Sequence, residues 1–245
     1  MANDQTTRIC LWSGPRNIST ALMYSFAQRS DTAVFDEPLY AHYLTHSNAH
    51  EYHPGSADVI ATQDNNGMNV INNLVLGEHD KPVLFFKHMT HHLVELDWAF
   101  MDQTVNVFLT RNPEEMLPSY AKQVKQPALH DTGYPQHHEL LQYLRDRGQN
   151  PPILDSTETL KNPRKVLTEL CDHIGIPFDE AMLSWEAGAR PEDGSWAQYW
   201  YASVHQSTGF LPYAPKETVF PEELRPLLAE CQPYYEELAA QAIKA

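Results

Sequence analysis

Positive charge is scarce in this 245-residue chain: 17 lysines and arginines face 32 aspartates and glutamates, for a formal net charge of −15. A general nucleic-acid binder shows the opposite balance. The chain also carries no polybasic segment for a membrane surface. Cysteine is almost absent. Cys10, Cys171 and Cys231 are widely spaced and odd in number, which excludes a disulfide framework and a cysteine zinc site and fits a reducing compartment. Long apolar runs are missing too: the first follows the polar stretch 1–8 and lasts only a few residues, too short for a signal peptide or a membrane span. The expected setting is the cytoplasm, with no nucleic-acid and no membrane partner. No feature fixes an oligomeric state.

Apolar residues make up 42% of the chain, a normal globular share. The length suits one large α/β domain over residues 1–245, with 185–245 as an aromatic-rich C-terminal lobe. No internal repeat or low-complexity linker interrupts it. Short apolar runs alternate with helical stretches, as in parallel α/β folds. Strands are expected at Arg8–Trp12, Thr32–Phe35, Val83–Phe86, Val105–Leu109 and Pro152–Leu154. Helices are expected at Ile18–Arg29, from Asn112 to about Gln126, at Pro163–His173 and at Pro221–Ala242. Asn112 suits an N-cap, Pro113 the first helical position, and Glu114 and Glu115 the positive end of the dipole. The stretch 185–210 is rich in Trp, Tyr and Gly and has no clean period.

The scarce basic residues mark the places where an anion could bind. Between the first strand and the first helix lies Ser13-Gly14-Pro15-Arg16-Asn17-Ile18-Ser19-Thr20. Free backbone N–H groups at a helix start point at a ligand, and the dipole favours negative charge. Arg16 adds a fixed positive charge, and Ser19 and Thr20 add hydroxyl donors. An ordinary βα turn with an N-cap is the simpler alternative. The nucleoside-triphosphatase pattern G-x-x-x-x-G-K-[ST] does not fit, because its second glycine and its lysine are missing. Nor does a later strand end in the Asp that holds Mg²⁺ in such enzymes.

The loop resembles the 5′-phosphosulfate loop of sulfotransferases, P-K-S-G-T-T-W. Pro15-Arg16-Asn17-Ile18-Ser19-Thr20-Ala21 matches it with Arg for Lys and Ser-Thr for Thr-Thr. The family's second signature is an Arg at a strand end and a Ser eight residues later, both on the nucleotide 3′-phosphate. Arg111 and Ser119 have that spacing. A third likeness runs from Thr159-Leu160-Lys161-Asn162-Pro163 to Gly175-Ile176-Pro177-Phe178. The resemblance spans about Arg8 to Trp185 and is greatest to divergent bacterial sulfotransferase-like proteins and the related domain fused to aminotransferase-like proteins in plants. It implies a three-layer parallel sheet flanked by helices, the P-loop-containing nucleoside triphosphate hydrolase-like fold. The implied donor is 3′-phosphoadenosine 5′-phosphosulfate and the implied product adenosine 3′,5′-bisphosphate, with no metal. Pro15, Arg16, Asn17, Ile18, Ser19, Thr20, Arg111 and Ser119 would bind them.

The chain departs from cytosolic members in its late segment. Their R-K-G-x-x-G-D-W-K stretch is replaced by Ser207-Thr208-Gly209-Phe210, with Arg190 and Lys216 as substitutes. Two other readings follow: a non-catalytic nucleotide- or phosphate-binding protein on the same fold, or a Mg-ATP-dependent small-molecule phosphotransferase.

Transfer to a small-molecule hydroxyl or amine needs charge stabilisation at the leaving phosphate oxygen, a task for Arg16, the helix start and Lys87. It also needs a base. Glu37, in Phe35-Asp36-Glu37-Pro38, resembles the family branch that uses a Glu after the second strand. His88 follows Lys87 but stands one residue earlier than the His of K-T-H, and one residue on a strand reverses the face. Glu37 is the favoured base and His88 its competitor. His88, His91 and His92 lack a partnered carboxylate motif for a metal. His137-His138 reads as a solvated helix start. Trp185, Trp196, Trp200 and Tyr201 would either line an acceptor pocket or pack the C-terminal lobe.

Overall fold

Five parallel strands set the frame of the protein, in the spatial order β2-β3-β1-β4-β5. They are β1 (Thr7–Ser13), β2 (Thr32–Asp36), β3 (Val83–Met89), β4 (Val105–Thr110) and β5 (Ile153–Asp155). The computed structural model describes residues 6–215 and 219–245. Parallel strands need crossovers on both faces, and side-chain alternation sorts the core accordingly. Ile9, Leu11, Phe85, Val107 and Leu109 belong to one buried cluster, with Leu22 and Phe26 of α1 (Ser19–Ala27) and Leu167 and Leu170 of the helix Pro163–Ile174. Cys10, Trp12, Leu84, Phe86 and Phe108 face the other way, onto Leu140, Leu141 and Leu144 of the helix Tyr134–Asp146. The chain is thus an α/β fold of three layers, as expected.

Strand ends differ by a few residues from the sequence reading. The third strand runs on past Phe86 to Met89, because Leu11, Trp12 and Ser13 of β1 pair with Lys87, His88 and Met89. The helix expected to reach Gln126 stops at Tyr120. Gln126 has φ +53° and precedes Pro127, whose ring disfavours helical backbone before it. The start of that helix follows the reading: Asn112 Oδ1 accepts from Glu114 N at 2.9 Å, and Pro113 takes the first position.

The aperiodic stretch 185–210 wraps the edge of the site through short turns, Ala197–Trp200 and Val204–Gln206. An antiparallel bridge from Ser184 to Gly209, and hydrogen bonds from Tyr24 to Asp193 and from Gly194 N–H to Asp36, tie it down. No described helix is long and apolar enough to cross a membrane.

Candidate active site

Residues from β1, β2, β3 and β4 meet at the carboxyl ends of the strands, where open parallel sheets leave their crevice. A cavity of about 460 Å³ lies there. Pro15, Arg16, Asn17, Ile18, Ser19 and Thr20 border it, together with Glu37, Lys87, Arg111 and Ser119. Of the expected catalytic and donor-binding residues named for the loop, the strand ends and the base, His88 alone among the described residues does not border it.

The loop is held by its neighbours. Arg16 has φ +57°, a left-handed conformation that costs a residue with a Cβ about 1–2 kcal/mol. Arg111 Nη1 donates to the Arg16 carbonyl at 2.8 Å, and Asn17 Nδ2 to the Leu109 carbonyl at 3.0 Å. The Arg16 side chain turns across the cavity floor. Its Nε donates to Ser119 Oγ at 3.1 Å and its Nη1 to the Trp200 carbonyl at 3.0 Å. Burial, and then the nearby Arg111, lower the Arg16 pKa from its ordinary value. Two guanidinium groups are therefore crowded together, and an anion would relieve the crowding. α1 opens at Ile18 with no side-chain cap and no acidic residue in its first turn. Its leading N–H groups remain for a ligand.

A second cluster is anchored on Lys87, which is only 1% exposed. Its Nζ donates to Asp36 Oδ1 and to Glu37 Oε1, each at 2.7 Å, and to the Tyr201 hydroxyl. Tyr201 in turn donates to Asp36 and accepts from Trp196 Nε1 at 3.1 Å. Burial works against the Lys87 charge, but Asp36 and Glu37 outweigh it and its pKa is raised. Burial drives the Glu37 pKa upward as well; the pull of Lys87 opposes this and Asp36 adds to it. Glu37 sits at φ +40°, with its N–H donating to the Lys87 carbonyl at 2.8 Å. That bond continues the β2–β3 ladder one residue past the strand and aims the carboxylate inward.

His88 lies on the opposite face of β3. Its ring stacks on Trp12 with centroids 4.5 Å apart and 17° between planes, and neither nitrogen has a partner. Burial pushes its pKa down to about 3. Period-two alternation explains the separation from Lys87. His91 and His92 border the cavity; among the described residues no three His, Cys, Asp or Glu are grouped as a metal ion requires. His137 is not solvated. It is 1% exposed, and its Nε2 meets the Trp12 carbonyl at 3.1 Å, while His138 pairs with Glu237 at 2.8 Å.

The aromatic stretch divides. Trp185 packs edge-on against Tyr24 in the core, whereas Trp196, Trp200 and Tyr201 border the cavity. Arg190 is not on the cavity wall: its guanidinium lies 4.6 Å from the Tyr24 ring centroid. Lys216 falls outside the described residues. Asp36 received no role from the sequence, although its place beside Glu37 at a strand end was a signal. Tyr40 and His53 had no signal at all.

A family model described as "Sulfotransferase domain" matches residues 7–242. Branched-chain-amino-acid aminotransferase-like proteins 2 and 1 of Arabidopsis thaliana are 37% and 38% identical over 225 residues, or 91% of this chain and 40% of theirs. The chain thus spans about two fifths of the length of these curated relatives. Among solved structures, the sulfotransferase domain from the curacin biosynthetic pathway aligns with a TM-score of 0.54 at 16% identity, covering 97% of this chain and 99% of that one. The sulfotransferase domain from the Synechococcus PCC 7002 olefin synthase aligns at 0.50 and 14%, covering 92% and 95%. These two likenesses are of fold.

Proposed function

The chain belongs to the sulfotransferase domain family, and on that premise we propose that it moves a sulfuryl group from 3′-phosphoadenosine 5′-phosphosulfate to a small-molecule hydroxyl or amine. One observation carries the reading: a single cavity joins a crowded pair of arginines, an uncapped helix start and a buried lysine–carboxylate pair. The first two suit the phosphates of a nucleotide, and the third suits the chemistry. Arg111 and Ser119 would take the 3′-phosphate, and Arg16 with the start of α1 the 5′-phosphosulfate.

In the transfer, the acceptor oxygen or nitrogen bonds to sulfur as the sulfur–oxygen bond to the phosphate breaks. The acceptor proton goes to the Glu37 carboxylate, which is raised above the ordinary carboxylate range and so is a stronger base than usual. The electron pair of the broken bond stays on adenosine 3′,5′-bisphosphate. Lys87 meets the growing charge there. Because Lys87 and Glu37 are already in contact, neutralising Glu37 frees the ammonium for the departing phosphate at the moment it is needed. The chain acts in this reading as one domain, and the aromatic-rich C-terminal lobe borders the site through residues between Trp196 and Leu211.

The test is calorimetric titration with adenosine 3′,5′-bisphosphate and AMP, with and without EDTA, followed by transfer from labelled donor to a panel of phenols, alcohols and amines. Tighter binding of the bisphosphate, unaffected by EDTA, and a labelled product are expected. Equal affinities would remove the 3′-phosphate site, and a requirement for Mg²⁺ with ATP would replace the reaction by phosphoryl transfer.

A further inference from the structure

Two carboxylates meet the Lys87 ammonium, and their surroundings differ. Asp36 closes β2 in register with Lys87 of β3, so both side chains leave the same face of the sheet. Its side chain is 1% exposed, against 9% for Glu37. Glu37 borders the cavity and Asp36 does not. Three donors converge on Asp36: Lys87 Nζ at 2.7 Å on Oδ1, and the Tyr201 hydroxyl at 2.7 Å and the Gly194 N–H at 3.2 Å on Oδ2. Among the described residues, Lys87 alone donates to the Glu37 carboxylate, and only to Oε1. Glu37 Oε2 is therefore left for an acceptor proton, while both oxygens of Asp36 are engaged.

Those contacts give the two groups different parts in the reaction. Protonation of Glu37 weakens its hold on Lys87, whose flexible four-carbon stem would otherwise swing. Asp36 and Tyr201 keep two of the three ammonium N–H groups fixed, so the third turns to the departing phosphate. The charge of Asp36 also stands beside Glu37. Burial raises the Glu37 pKa, Lys87 opposes this and Asp36 adds to it, as a second carboxylate in one site does. The other neighbours do not replace it. Burial holds Tyr40 of α2 (Tyr40–Thr45) and Tyr201 well above the ordinary tyrosine value and His92 well below its own, so all three are neutral near pH 7. Burial likewise lowers His53 to about 4 and His91 to about 3. Arg16 and Arg111 are the remaining charges on the described wall, and they are cations.

We propose that Asp36 is a positioning residue for the transfer: it anchors Lys87 while Glu37 takes the acceptor proton, and its negative charge strengthens Glu37 as the base. The inference deepens the sulfuryl-transfer reading and rests on it.

The experiment compares the wild type with Asp36→Asn and Asp36→Glu. It reads the pH profile of kcat and, in protein labelled with ¹³C at glutamate Cδ, the titration of Glu37 itself, assigned by its loss in Glu37→Gln. Asp36→Asn removes the charge, so the Glu37 titration and the acid limb of kcat should both fall by about one pH unit. Asp36→Glu keeps the charge but displaces it by about 1 Å; the titration should stay at the wild-type pH while kcat drops on the order of 10²-fold. A role in folding alone would lower the stability of both variants and move neither titration. The proposal is overturned by a wild-type Glu37 titration in Asp36→Asn, by an equal downward shift in Asp36→Glu, or by full kcat in Asp36→Glu. Should the variants not fold, the wild type decides: the Lys87 ammonium, observed by ¹⁵N NMR, should stay protected from exchange as Glu37 protonates, and loss of that protection overturns the anchor. Absence of transfer to any acceptor by the wild type would instead strike the sulfuryl-transfer reading, and the Glu37 titration still judges Asp36.

Discussion

Ser119 Oγ accepts a hydrogen bond from Arg16 Nε at 3.1 Å, across 103 residues of sequence. The loop after β1 and the helix after β4 are therefore joined directly by side chains. Arg111 reinforces the junction through the Arg16 carbonyl.

This junction separates the effects of three substitutions on nucleotide affinity. Ser119→Ala removes one hydroxyl and should weaken adenosine 3′,5′-bisphosphate by about 1 kcal/mol while leaving AMP unchanged. Arg111→Ala removes a charge-assisted contact and a brace on the loop, so the loss should reach about 2–3 kcal/mol for the bisphosphate, with a smaller loss for AMP. Arg16→Ala should weaken both. Isothermal titration checks the order, and an AMP affinity that falls as far as the bisphosphate's for Ser119→Ala would contradict it.

The Lys87 cluster is expected to govern stability as well as turnover. Lys87→Met leaves Asp36 and Glu37 buried without their cation, and losing one partner of a buried pair costs about 3–5 kcal/mol. Adding Glu37→Gln removes one of the two stranded carboxylates. The double variant should recover part of the loss. Urea unfolding of the wild type, the two single variants and the double variant measures the coupling; strictly additive losses would show that the two side chains act independently.

For the base, Glu37→Gln keeps shape but loses basicity. Turnover should fall roughly 10²–10⁴-fold with bisphosphate affinity preserved. In the wild type the acid limb of kcat should lie above 4.5, the ordinary value of a glutamate, since burial raises Glu37. An acid limb at or below that value would point to a different base.

His88→Phe should retain the stack on Trp12 and leave turnover within about twofold. Its effect should appear in the pH dependence of stability. His88, His91 and His137 are depressed to about 3, 3 and 4 from 6.5. Below pH 6.5 the unfolded chain takes up protons that the folded one refuses, so stability present above 6.5 is lost as pH falls towards the folded values. Each residue contributes a slope of up to about 1.4 kcal/mol per pH unit in that window. Unfolding at pH 7 and pH 5 should show a shallower drop for His88→Phe than for the wild type.

Much of this was legible in the chain because it is local. The order of strands and helices, the cap at Asn112 and the loop Pro15–Thr20 depend on neighbours in sequence, and the structure assembles them as expected. The 111–119 spacing likewise needed only helix geometry. What could not be read is set by tertiary contact. Nothing near Tyr201 announces that its hydroxyl joins Asp36 and Lys87, 165 and 114 residues away. His137 looked like a polar residue at a helix start. It is buried because that helix lies on Trp12 and Phe108. The same alternation that flagged His88 as out of register also places it, but only once the extent of β3 is known.

Arg16 and Glu37 both occupy left-handed backbone, at φ +57° and +40°, a region that glycine enters freely. Glycine at either position would relax about 1–2 kcal/mol of backbone strain, yet Arg16→Gly would give up the bonds to Ser119 and the Trp200 carbonyl, and Glu37→Gly would take a carboxylate away from buried Lys87. What each side chain holds outweighs the twist it imposes on the backbone. A thermostability library built on this chain should therefore find no gain from glycine at these two codons.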